Sequence, residues 1–112
     1  MTVGLTIGQH SAKFPVIQGG MGVRVSGHRL AGHVAKAGGI GLVAAAGLAL
    51  NSGLFNGKNF YAADREALKI ELSKAREIAP DGVVGVNCMV AVSNYDEAIV
   101  AACEAGAQVI VS

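Results

Sequence analysis

Four apolar runs without polar alternation constrain this chain more than any other feature. They are Pro15-Val16-Ile17-Gln18, Gly39-Ile40-Gly41-Leu42-Val43-Ala44-Ala45, Gly82-Val83-Val84-Gly85-Val86-Asn87-Cys88 and Ala107-Gln108-Val109-Ile110-Val111-Ser112. Runs of this length suit strands covered on both faces, as in a parallel sheet clothed by helices. Helix-like segments separate them, so the order reads as right-handed βαβ units of an α/β fold. A doubly wound open sheet and part of a (β/α)8 barrel both satisfy that order.

Composition narrows the function classes. Hydrophobic residues make up 52% of the 112 residues, charged residues 15%, and the formal net charge is +1, which excludes a disordered or solvated tail. Lys and Arg are scattered and there are only two tyrosines and three phenylalanines, so no phosphate-tracking stripe or base-stacking platform is present and nucleic acid is not an expected partner. The uncharged stretch 37–57 holds a strongly apolar part, 40–50, well short of the roughly 20 residues of a membrane span. With no secretory signal pattern at the start, a cytoplasmic location and no membrane partner are expected. Cys88 and Cys103 have no ligand spacing and read as buried reduced thiols, with no metal site.

The intervening segments have readable limits. Val3, Leu5 and Ile7 alternate with polar or small residues ahead of a Gly8-Gln9-His10-Ser11 turn, which predicts a short hairpin. Ser26 is positioned to cap a first helix with Leu30, Val34 and Ala37 inward, Arg29, His33 and Lys36 outward, and Gly38-Gly39 as its stop. A second helix over 64–79 places Asp64 and Glu66 in its first turn and Arg76 in its last. Leu68, Leu72, Ala75 and Ala79 form its buried stripe, and Glu66/Lys69 and Glu71/Lys74 form surface pairs. A third helix starts near Ser93 and Asn94, with Asp96 or Glu97 completing the cap, ends at Gly106, and turns Tyr95, Ile99, Ala102 and Cys103 inward.

The first apolar run ends in Gly19-Gly20-Met21-Gly22, where missing Cβ atoms let backbone approach a flat or phosphorylated ligand; a plain strand-to-helix turn uses the same glycines. Gly20-Met21-Gly22 fails the dinucleotide fingerprint, because its third glycine position is Val25. Gly39-Ile40-Gly41 enters a strand instead of opening a helix, and no Gly-Lys-Ser/Thr phosphate loop occurs.

Pro15-Val16-Ile17-Gln18-Gly19-Gly20-Met21-Gly22, Ala35-Lys36-Ala37-Gly38-Gly39-Ile40-Gly41 and Val84-Gly85-Val86-Asn87 together resemble the start of the nitronate monooxygenase (2-nitropropane dioxygenase) family, which includes FMN-dependent enoyl-acyl-carrier-protein reductases. The resemblance implies the N-terminal half of an FMN-binding (β/α)8 TIM barrel, with residues 1–112 as one portion of a single flavin domain. It implies Gly20, Met21 and Gly22 as backbone against the flavin, main-chain N–H groups around Met21 as donors, and Asn87 as an amide offered to the cofactor. Read without the resemblance, Asn87 has the lesser alternative of a buried amide holding its own loop, and Met21 that of plain packing. The implied reaction is oxidation of alkyl nitronates by O2 to a carbonyl compound and nitrite. NAD(P)H-dependent enoyl-thioester reduction and a non-catalytic self-assembling half-barrel are the alternatives.

The family's catalytic histidine has no counterpart among His10, His28 and His33, so the catalytic residue stays unassigned. Segment 47–63 is longer than the family's connection and is expected to lid the site. A half-barrel on its own, with the inner faces of Val16, Leu42, Val84 and Val109 short of partners, is expected to self-associate, to hold FMN weakly and to turn over no nitronate.

Overall fold

In the computed structural model, which describes residues 3–22, 25–48 and 60–112, the alternating start of the chain closes into the expected hairpin. Leu5–Ile7 (β1) pairs antiparallel with His10–Ala12 (β2). Helix His28–Ala37 (α1), strand Ile40–Ala44 (β3), helix Phe60–Ile78 (α2), strand Val83–Asn87 (β4), helix Tyr95–Glu104 (α3) and strand Ile110–Val111 (β5) follow. β3, β4 and β5 form a parallel sheet in chain order, with Ile40 beside Val83, Ala44 beside Asn87 and Asn87 beside Val111.

Alternation along the strands divides the core in two. Val43, Val84 and Val86 pack with Ala31 and Ala35 of α1, Leu68, Leu72 and Ala75 of α2, and Ala102 of α3. Ile40, Leu42, Val83 and Val109 pack on the opposite face with Ala12 of the hairpin and, at the margin, Leu5. The described helices thus share one face and the hairpin covers the other. Val84 belongs to the helix side, so it does not share the face of Leu42 and Val109 as the sequence suggests. Each large aliphatic side chain fully buried this way contributes about 1.5–3 kcal/mol.

The run at 15–18 is not a strand covered on both faces. Ile17 makes one parallel bridge to Ile40, and Val16 and Ile17 remain 56% and 44% exposed. The ladder continues through a side chain instead. Gln18 Oε1 accepts the Leu42 N–H at 3.1 Å and Gln18 Nε2 donates to the Leu42 carbonyl at 3.0 Å, so the main chain is free to leave the sheet at Gly19. The fourth run is likewise shorter than predicted. Only Ile110–Val111 is a strand; just ahead of it the Gln108 N–H donates to the Val84 carbonyl at 3.1 Å while the Gln108 side chain accepts the Val84 N–H at 2.9 Å.

The helices depart from prediction in informative ways. Gly27, not Ser26, is the N-cap of α1, and it makes no side-chain cap. The buried stripe is Ala31, Gly32 and Ala35, while Leu30 stays 42% exposed. Small residues are needed there because α1 rests directly on β3: a Cβ at Gly41 would overlap the Ala31 carbonyl. α2 starts at Phe60, so Asp64 and Glu66 lie beyond its first turn, and the segment read as a loop through residue 63 ends sooner; the rest of the expected lid, 49–59, lies outside the described residues. Its predicted stripe of Leu68, Leu72, Ala75 and Ala79 is buried, but Glu71 is buried too, at 6% exposure, and is no surface partner of Lys74. Asn94 is the N-cap of α3 without a side-chain bond, and Arg76 of α2 donates to the Gly106 carbonyl beyond the other end of α3. Cys103 is exposed rather than buried, since Ala101 and Ala102 occupy the inward positions. Among the described residues no helix is long and apolar enough to cross a membrane.

Candidate functional site

The carboxyl ends of the parallel strands bring together residues distant in sequence. Asn87 closes β4 in register with Ala44 of β3 on one side and Val111 of β5 on the other. Its carbonyl accepts the Ala45 N–H at 3.0 Å, which fixes the backbone beneath the side chain. Gly20 lies directly against that side chain: a Cβ at Gly20 would sit 2.6 Å from Asn87 Cβ and 3.0 Å from Nδ2. The glycine at 20 is therefore required by the close approach of loop and amide. Gly22 approaches the connection after β3, where a Cβ would be 3.3 Å from both Ala46 Cβ and the Ala46 carbonyl.

The loop carrying these glycines is held from within by Ser26, which is 1% exposed. Its N–H donates to the Met21 carbonyl at 2.9 Å, its Oγ accepts the Met21 N–H at 2.9 Å, and its carbonyl accepts the Ala44 N–H at 2.9 Å. The hydroxyl also points at the Gly19 carbonyl, 3.5 Å away. One serine thus ties the glycine loop to itself and to the end of β3. Its presence in the site is missed by a sequence reading that assigns it to a helix cap; the nearest signal is its location just beyond the glycine cluster.

Two consequences follow for recognition. The Met21 N–H is already engaged and is not a donor for a cofactor, contrary to the expectation from sequence. The Met21 side chain, in contrast, is 61% exposed beside the loop. The half-buried Asn87 carboxamide has no hydrogen-bond partner among the described residues, so both its donor and its acceptor remain available. A polar side chain in that condition at the end of a central parallel strand is the arrangement expected of a ligand contact.

A cleft of about 310 Å³ opens next to these strand ends, lined by Ala45, Ala46, Gly47, Met89, Val92 and Asn94. Another, of about 210 Å³, lies between α2 and α3 against Arg65, Leu68, Glu97 and Ala101, and none of Gly20, Met21, Gly22 or Asn87 lines either cleft. No cluster of three metal-ligating side chains occurs among the described residues.

A sequence model of the nitronate monooxygenase family matches residues 5–111, from the hairpin through β5. The chain belongs to that family. Among curated proteins no sequence matches it. Membership in the nitronate monooxygenase family makes this a member of an oxidoreductase family that is generally flavin-dependent and folds as a TIM barrel. The match covers the glycine loop, Ser26 and Asn87 in one span.

Proposed function

We propose that residues 1–112 form the N-terminal portion of one FMN-binding (β/α)8 barrel domain, and that the protein oxidises alkyl nitronates with O2 to a carbonyl compound and nitrite. The observation that carries this reading is Asn87, an amide without a partner among the described residues, set at the carboxyl end of β4 with Gly20 pressed against it. Parallel barrels hold their ligands at that end of the strands. Chain-order neighbours with the described helices on one face support a barrel over a doubly wound sheet, which reverses order and carries helices on both faces.

The residues present fit a flavin. Exposed Met21 offers a soft apolar surface to a flat ring, Gly20 and Gly22 let the backbone beside it stay close, and Asn87 supplies one donor and one acceptor for ring heteroatoms. FMN when bound supplies the electron transfer between substrate and O2. The chain's own part is to bind and orient the ring, with a small-molecule nitronate as the partner. The test is spectroscopic titration with FMN of the full-length protein that carries residues 1–112, followed by oxygen uptake and nitrite release on adding a nitronate. Asn87→Ala and Met21→Ala are each expected to weaken FMN binding about tenfold, the loss of a hydrogen bond or a packed face. Unaltered FMN affinity in both variants overturns the site, and enoyl-thioester reduction that requires NAD(P)H, without nitronate turnover, overturns the reaction.

A further inference from the structure

Glu71 is buried on α2, and its carboxylate is spent on the start of another helix. Glu71 Oε2 accepts the backbone N–H of His28, the first residue of α1, at 2.8 Å, and His28 Nδ1 lies 2.6 Å from the same oxygen. The first N–H groups of a helix have no internal partner and form its positive end, so a carboxylate there is favourable. Gly27, the N-cap, supplies no side-chain bond of its own. Glu71 therefore caps α1 from 43 residues away in sequence.

His28 stands two residues after Ser26, the residue that fastens Met21 and Gly19 to the end of β3. Where α1 begins decides where Ser26 sits. We infer that Glu71 is a positioning residue for the glycine loop, acting through His28 and Ser26 to hold residues 19–21 against Asn87. The consequence for the cofactor rests on the flavin reading above; the clamp on the loop does not.

Amide hydrogen exchange reads the clamp directly in the intact chain. In Glu71→Gln the Met21 N–H, held by Ser26 Oγ, is expected to exchange about tenfold faster, the scale of a lost hydrogen bond to a charged group. The Val86 N–H, bonded to the Val109 carbonyl at 2.9 Å in the core of the sheet, should keep its rate. Arg76→Ala, which removes the contact from the last turn of α2 to Gly106, serves as the matched control and should leave Met21 unchanged. His28→Ala keeps the backbone N–H and removes only the ring contact, so a smaller acceleration at Met21 is expected from a variant that still folds. Acceleration of Met21 alone supports the inference. An unchanged Met21 rate in both the Glu71 and His28 variants, or equal acceleration at Met21 and Val86, overturns it. FMN titration of Glu71→Gln beside Asn87→Ala separates the two readings. If Asn87→Ala leaves FMN binding intact, the flavin site falls while the exchange result still decides the clamp.

Discussion

Ser26 and Met21 hold each other twice, the Ser26 N–H on the Met21 carbonyl and the Met21 N–H on Ser26 Oγ, each at 2.9 Å. A backbone donor that would otherwise face the site is thereby consumed inside the loop, and the hydroxyl that consumes it is buried. Ser26→Ala removes the acceptor and leaves the Met21 N–H without its partner. The expected cost is about 1–3 kcal/mol, read by denaturant unfolding, with faster exchange at Met21. Stability equal to the parent protein would mean that the loop re-forms its bonds without the hydroxyl.

Gln18 substitutes for a strand. Its carboxamide pairs with both the N–H and the carbonyl of Leu42, extending the ladder after the single bridge at Ile17. Gln18→Met retains the length and removes both polar atoms, so two backbone groups of β3 lose partners. A loss of about 1–3 kcal/mol is expected, together with faster exchange of the Leu42 N–H. An unaffected Leu42 amide would place its protection in burial and not in the Gln18 bond.

The two cysteines should behave as opposites. Cys88 is fully buried, and burial, reinforced by Cys103 nearby, pushes its thiol above the ordinary 9.0. Cys103 is exposed. At neutral pH a maleimide should modify Cys103 in the native protein and reach Cys88 only on unfolding. The native state favours the neutral Cys88 thiol, so the associated stability is intact below pH 9.0 and declines as pH rises through the higher native value. Rapid labelling of Cys88 in the native protein would contradict this.

What the sequence reveals depends on whether a residue acts along its own element or across to another. Val43, Val84 and Val86 declare a buried parallel sheet by their unbroken apolar character, but such runs do not say which face each residue takes, and Val84 lies on the helix side. Asn87 is also legible as a strand-end feature, whereas the run before the glycine cluster makes only the bridge at Ile17. Leu30 misleads because helical periodicity favours the large residue, whereas contact with Gly41 selects Ala31. Ser26 and Glu71 mislead for a related reason. Each fits a local role, cap or surface pair, but their partners Met21, Ala44 and His28 come from other segments. Local pattern cannot weigh such partners before the chain is folded.

Neighbouring glycines offer the most direct test of the site. Gly20 faces Asn87, and an added Cβ would sit 2.6 Å from Asn87 Cβ, closer than side chains tolerate; Gly19 has nothing within 4 Å of the same position. Neither adopts the left-handed conformation, so Ala is sterically acceptable in the backbone of both. Gly19→Ala is expected to change stability by less than about 0.5 kcal/mol, as a substitution into open space. Gly20→Ala must push the loop from Asn87, because rotating the carboxamide leaves Asn87 Cβ in place, at a cost of about 1–3 kcal/mol from overpacking. Unfolding measurements give these differences, and FMN titration shows whether the displacement reaches the cofactor. If Gly20→Ala matches Gly19→Ala in both, the contact between the loop and Asn87 yields freely and cannot set the geometry of a binding site.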